Sequence, residues 1–315
     1  MNCEKIGQRL TTLQALAEYL RVYGLALDKH TKSTVSKSVS TLSTIFTNAL
    51  DLRRQVSADG EEAKVKPAEL EEIESTVNDC ALKMIYKLND ATFRPIFSEL
   101  VEWSSSKLPK QDVTGTTLRQ LSVYGFFNTF FGGLKSIVTS YASYITEGTA
   151  KILTGSDVKD AAQKELWKRA LRTLKQCFEH DQDGFWQAPA HFSTVAPVLV
   201  EQFLRAGVVD VSEELVPALV ELAAAADSKE HHKELNGSLL KHLRSEQSAV
   251  RLEVVKCQQS LTERLGEEWL ASLPEMLPYI SELQDDDDEV VERENRRWIV
   301  LIEKALGESL DSMLQ

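Results

Sequence analysis

Apolar residues recur along this chain at steps of three and four. Leu70, Ile73, Val77, Ala81, Met84 and Leu88 line one face of a helix, and so do Val250, Val254, Cys257, Leu261 and Leu265. No comparable run alternates apolar and polar positions at period two, so strands are not expected. Capping residues and chain breakers predict helices over 4–24, 33–54, 67–88, 90–104, 114–131, 134–152, 157–179, 188–206, 212–226, 230–244, 247–265, 269–284 and 287–306. The connections between them are short, which forces consecutive helices to run antiparallel. One clear linker stands out, QVSADGEEAKVK over 55–66. It is polar and mobile in composition, and it ends at Pro67, where proline suits a helix start.

The last two long helices end alike, at Leu265-Gly266 and at Leu306-Gly307, with 41 residues between equivalent positions. On that offset Val250 matches Val291 and Leu261 matches Ile302, although Val254 falls opposite Asn295. A period near 40 with two helices per unit is the signature of HEAT repeats. The predicted fold is therefore all-α, an α-solenoid of HEAT-like antiparallel helix pairs (an α-α superhelix).

A proline in the first helix of a pair is a habit of that repeat class. PIFSEL (95–100), PVLVEQ (197–202) and PYISEL (278–283) place Pro95, Pro197 and Pro278 in the first helix of a pair. There a proline removes one hydrogen bond and kinks the helix over its partner. Pro217 of PALVEL follows Pro197 too closely to extend the series. Asp285 to Asp288 fall in the following turn and the first turn of the next helix, where carboxylates accept unpaired N–H groups and meet the positive end of the helix dipole. Like charges in series repel, so the run reads as solvated. It lacks the alternating ligands and glycine of a calcium loop.

A chain of 315 residues exceeds what one compact core serves, which leaves two domains or an array that grows lengthwise. With 43% hydrophobic and 27% charged residues it can bury a core. The net charge of −12 is uneven: residues 1–160 hold 19 Lys and Arg against 19 Asp and Glu, and residues 161–315 hold 17 against 29. That acidic half argues against broad, non-specific nucleic-acid binding, while a local basic strip stays open. Cys3, Cys80, Cys177 and Cys257 are scattered, without the spacing of a zinc ribbon or a disulfide framework, which fits cytosol or nucleus. No signal-peptide pattern opens the sequence. The most hydrophobic stretch, VYGFFNTFFGGLKSIVTSYASYI (123–145), is interrupted by Asn128, Gly132, Gly133 and Lys135. It reads as a buried helix, a glycine break and a second helix, and no membrane partner is expected.

Phosphate-cradling, dinucleotide-binding, zinc-protease and serine-hydrolase signatures are all missing from the sequence. An enzyme, a cofactor, a metal or a small-molecule substrate is not expected. His231 and His232, adjacent on a helix, point about 100° apart and read as surface residues. His180 and His191 bracket a turn expected to dock Phe185 and Trp186 into the core. Phe126, Phe127, Phe130 and Phe131 read as packing between helices. One basic feature remains: Lys164, Lys168, Arg172 and Lys175 step along one helix face beside Lys159 and Arg169, opposite Leu166, Ala170, Leu174 and Cys177. Such a ridge fits RNA phosphates, an acidic neighbouring protein, or the ordinary solvated face of an amphipathic helix.

KLNDATFRPIFSELVEW (87–103), YGFFNTFFGGLKSIV (124–138), FWQAPAHFSTVAPVLVEQF (185–203), LLKHLRSEQSAVRLEVV (239–255) and the stretch from Leu273 to Leu310 occur in an order that resembles one family. That family is the U-three small nucleolar RNA-associated protein ten of the small-subunit processome, also called HEAT repeat-containing protein one. The resemblance runs from about residue 87 onward and implies that 89–315 is the family's C-terminal HEAT-repeat module. Residues 1–88 are then preceding HEAT-like helices carrying the acidic linker. It also implies a nucleolar, non-catalytic scaffold in precursor ribosomal RNA processing, small-subunit ribosomal RNA maturation and ribosomal DNA transcription. The implied partners are other subunits of the early-acting subcomplex, with precursor ribosomal RNA or small nucleolar RNA beside them. Two alternatives stay open: a direct RNA-binding module using Lys164, Lys168, Arg169, Arg172 and Lys175, and a HEAT scaffold of nuclear transport or phosphatase assembly.

Overall fold

The computed structural model describes residues 6–29, 32–58, 66–106, 108, 112–311 and 313–314. Among them every regular element is helical, and the chain gathers into two compact units, Met1–Leu134 and Lys135–Gln315. Cys3 and residues 59–65 of the expected linker lie outside the described residues.

The first unit holds α1 (Ile6–Lys29), α2 (Lys32–Leu50), α3 (Leu52–Ala58), α4 (Pro67–Ile85), α5 (Asp90–Ser106) and α6 (Val113–Leu134). Helix α4 packs between α1 and α6, while α2, α3 and α5 cover the other side of that layer. Pro67 opens α4 with Lys66 extended before it, as a fixed proline φ favours. The predicted stripe Leu70, Ile73, Val77, Ala81 and Met84 is buried, and the helix stops at Ile85, short of Leu88. Gly24 lets α1 approach closely, since a Cβ there would stand 2.8 Å from Cys80 Sγ. Between α5 and α6, Phe97 meets Phe127 and Phe130 at ring distances of 5.3 and 5.2 Å, so the aromatic run is core packing.

Two expectations change here. The helix expected over 33–54 divides at Asp51, whose carboxylate turns inward to accept hydrogen bonds from Arg54 and Arg119. Helix α3 then takes 55–58, the beginning of the expected linker. The glycine break is also displaced: α6 runs through Gly132 and Gly133, and the chain turns at Lys135, which adopts φ 53°. Gly133 serves packing instead of a break, because a Cβ on it would come within 2.9 Å of Leu82 on α4.

In the second unit a short 3₁₀ stretch (Lys135–Tyr141) leads into α7 (Ala142–Gly155), α8 (Ala161–Glu179), α9 (Pro189–Glu201), α10 (Leu215–Ala226), α11 (Lys229–His242), α12 (Ser248–Leu265), the single turn α13 (Glu267–Leu270), α14 (Leu273–Glu282) and α15 (Glu289–Leu306). Helices α8, α10, α12 and α15 pack side by side in one layer; α7, α9, α11 and α14 form the other. These are successive antiparallel pairs of a helical-repeat solenoid. Pro197 and Pro278 lie inside α9 and α14, both in the layer of first helices, and Pro95 lies inside α5.

The repeat seen in sequence has a structural cause. Gly266 ends α12 at φ 56° and Gly307 ends α15 at φ 75°, backbone conformations that residues with a Cβ seldom adopt. Buried tryptophans fill the layers, and each indole N–H finds an acceptor: Trp167 on Gln202, Trp269 on Gln258 and Trp298 on Thr262.

Candidate partner-binding surface

Helix α8 carries the basic ridge. Asp160 caps it, accepting the Gln163 N–H at 2.9 Å, so the helix begins at Ala161 and Lys159 belongs to the preceding turn. Leu166, Ala170, Leu174 and Cys177 are buried as their spacing predicts. Burial pushes the Cys177 and Cys257 thiols up, which keeps both protonated and unreactive.

The ridge cations are largely engaged. Lys168 Nζ donates to Glu213 at 2.8 Å, and that bond raises the lysine and lowers the carboxylate from their usual ranges. Arg172 donates to Glu214, whose side chain is buried. Both glutamates sit in the segment before α10, where the Asp210 side chain accepts the Ser212 N–H and Val209 and Val211 are buried. Arg169 pairs with Glu165 and Lys175 with Glu179 on α8 itself. Lys164 is half-buried and has no ion pair among the described residues. The structure therefore brings the five candidate residues onto one helix, but spends two of them on a neighbouring repeat.

Those two bonds belong to a series. Ser212 Oγ bonds Glu253, Arg244 bonds Glu282 at 2.5 Å, and Arg251 bonds Asp286 at 2.7 Å. With Lys168–Glu213 and Arg172–Glu214 counted, the partners lie 45, 42, 41, 38 and 35 residues apart, so polar bonds join adjacent repeats at separations scattered around the period near 40.

The four-aspartate turn is a mixed case. Asp288 caps α15, accepting the Val290 N–H at 2.9 Å, as predicted. Asp286 overturns the solvated reading: its side chain is 5% exposed and is gripped by Arg251, itself 9% exposed. Asp287 also reaches Arg251 while staying in solvent. Sequence reasoning missed Arg251, because its partner lies a full repeat away.

His231 and His232 are likewise buried instead of exposed. His231 Nε2 meets the Gln187 carbonyl at 2.9 Å and its ring stacks on Phe192; His232 Nε2 meets the Ala223 carbonyl at 2.8 Å. The 181–191 turn docks Trp186 fully, with Phe185 half-buried against the His191 ring. Gly184 at φ 68° and Asp181, which accepts the Trp186 N–H, shape that turn.

Among the described residues no group of three or more His, Cys, Asp and Glu is placed to hold a metal, and no helix is long and apolar enough to cross a membrane. A cavity of about 40 Å³ among α2, α4, α5 and α6 is lined mostly by apolar side chains, with Ser43, Thr47 and Asn78 the polar ones, and is too small for a substrate.

The arrangement defines a class: an all-α helical-repeat protein. Comparison narrows it. The BP28CT (NUC211) domain matches residues 34–186. The "U3 small nucleolar RNA-associated protein 10" of Chaetomium globosum is 70% identical across 96% of this chain, and that of Neurospora crassa is 64% identical across 96%. The chain belongs to this family and corresponds to its C-terminal region. It spans 17% of the length of these two relatives. Among solved structures, Kap121p aligns with 96% of this chain and 33% of its own at 13% identity and a TM-score of 0.49, which adds nothing to the fold argued from the helices themselves.

Proposed function

We propose that this chain is a non-catalytic scaffold segment of the nucleolar small-subunit processome. In that role it supports precursor ribosomal RNA processing and small-subunit ribosomal RNA maturation, hence ribosome biogenesis, with a separate link to ribosomal DNA transcription. The observation that carries this reading is its likeness, over nearly its whole length, to proteins named for association with U3 small nucleolar RNA. Stacked helix pairs support it physically, because repeats that contact only their neighbours expose long side surfaces suited to holding other subunits. Its partners are then other members of the early-acting subcomplex, with precursor ribosomal RNA or small nucleolar RNA in second place. Residues 89–315 act as the family's C-terminal module and 1–88 as preceding repeats.

The ridge of Lys164, Lys168, Arg169, Arg172 and Lys175 serves a protein partner before RNA. A phosphate strand would have to displace Glu213 and Glu214, whereas a protein surface can share them.

Deleting the corresponding segment from the Neurospora crassa relative tests the scaffold. The expected result is loss of U3 RNA from the purified protein and accumulation of unprocessed precursor. Normal assembly and processing, with the shortened protein present at ordinary abundance, overturns the reading.

A further inference from the structure

We propose that the outer face of α15 is a docking surface for an acidic amphipathic helix of a partner protein, a reading that rests on the scaffold function above.

The helix has two opposed faces. Val291, Glu294, Asn295, Trp298 and Ile302 are buried, and the neighbours they meet are α12, α13 and the 3₁₀ turn Leu283–Asp285. The opposite stripe, Val290, Arg293, Arg296, Arg297, Val300 and Lys304, is exposed over about 21 Å of helix. It stands in the half of the chain where acid outnumbers base.

Charge on this stripe is directed outward. Glu294 is buried and tied to Gln259 on α12, and Glu303 accepts hydrogen bonds from Ser309 and Leu310. Among the described residues the arginines pair along their own helix: Arg296 with Glu292, Arg297 with Glu294 at 2.7 Å, and Arg293 more loosely with Glu294 at 3.7 Å. Arg296, whose partner Glu292 is half-exposed, can therefore pivot to an external carboxylate without stranding a buried acid, which Arg172 on α8 cannot do.

The occupant follows from the apolar residues among these cations. Val300, 59% exposed, lies between Arg296, Arg297 and Lys304, and Val290 lies at the far end. An apolar centre with a charged rim is the anatomy of a protein interface, and a helix carrying small apolar residues flanked by Glu or Asp complements it. A phosphate backbone would leave Val300 without a partner.

The test uses the 315-residue chain and a labelled 21-residue helical probe peptide bearing a Glu stripe beside a Leu and Ala stripe, read by fluorescence anisotropy. Binding is expected to weaken with salt, to fall at least tenfold in the R296E/K304E variant, neither position of which pairs with the buried Glu294, and to fall at least tenfold in Val300→Asp. Both variants should keep the parental melting temperature, because the positions are exposed. A peptide with Lys in place of Glu should bind the charge-reversed variant. Peptide binding indifferent to these changes, no salt-sensitive binding, or preferential binding of a 20-nucleotide single-stranded RNA that ignores Val300→Asp each overturns the proposal. The assay reads α15 alone, so its failure is distinguishable from failure of the processome reading.

Discussion

Arg251 on α12 and Asp286 in the turn before α15 form a two-bond pair, Nε to Oδ2 at 2.8 Å and Nη2 to Oδ1 at 2.7 Å, with both side chains buried. The same guanidinium donates to the Ser245 carbonyl, so one side chain ties the α11–α12 turn to the turn of the next repeat. Such a pair contributes specificity more than net stability, since desolvation offsets most of its attraction. Removing one partner is another matter, because the survivor is a buried charge. Asp286→Ala should cost about 3 kcal/mol in urea unfolding of the chain. The double change Arg251→Met with Asp286→Leu should recover most of that loss.

Acid should act through the same pair and through Asp51. Burial alone would push both carboxyls up, but hydrogen bonds from Arg251 to Asp286, and from Arg54 and Arg119 to Asp51, outweigh it and hold both below the usual range. A carboxyl lowered on folding contributes stability that is fully present above its unfolded value of about 3.9. That stability is lost as pH falls through the lower folded value. Unfolding free energy attributable to these groups should be level from pH 7 to about 5 and decline steeply below about 4. Asp51→Asn and Asp286→Asn should each flatten that decline, as urea titrations at several pH values would register.

How much of this was legible follows from where the information lies. Helix faces such as Leu70 to Met84 are written locally, because a 3.6-residue period needs only nearby positions. The Leu-Gly endings at 266 and 307 are also local, since the φ values there require glycine. The fate of Asp286 depends on Arg251, and the burial of His231 depends on Gln187 and Phe192, which no local pattern displays. The α8 ridge shows the same division: its face was legible, while its neutralisation by Glu213 and Glu214 came from the next repeat.

That neutralisation changes what charge reversal on the ridge does. Arg172→Glu would place a carboxylate beside the buried Glu214 and should destabilise the chain by about 2 kcal/mol, consistent with the loss of a partner for a buried acid. Lys164→Glu, at a position without an ion pair among the described residues, should shift stability by no more than about 0.5 kcal/mol. A double-mutant cycle of Arg172→Ala and Glu214→Ala should show a favourable coupling near 1 kcal/mol. Melting curves of the four proteins supply every corner of it, and additive losses would mean the pair does not act as one.

Glycine offers a comparison in which one substitution carries two signs. Gly148 lies inside α7 with ordinary helical backbone, and a Cβ there meets nothing within 4 Å. Alanine at 148 should stabilise by about 1 kcal/mol, because it restricts the unfolded chain and favours the helix. Gly307 also has open space around it, yet its φ of 75° closes α15 in a conformation that alanine resists. Gly307→Ala should therefore destabilise by about 1 kcal/mol. Each should move the melting temperature of the unit by about 2–4 °C, upward for the first and downward for the second. Space is the same at both positions, so a shared direction of shift would mean that backbone conformation at Gly307 is not what ends the helix.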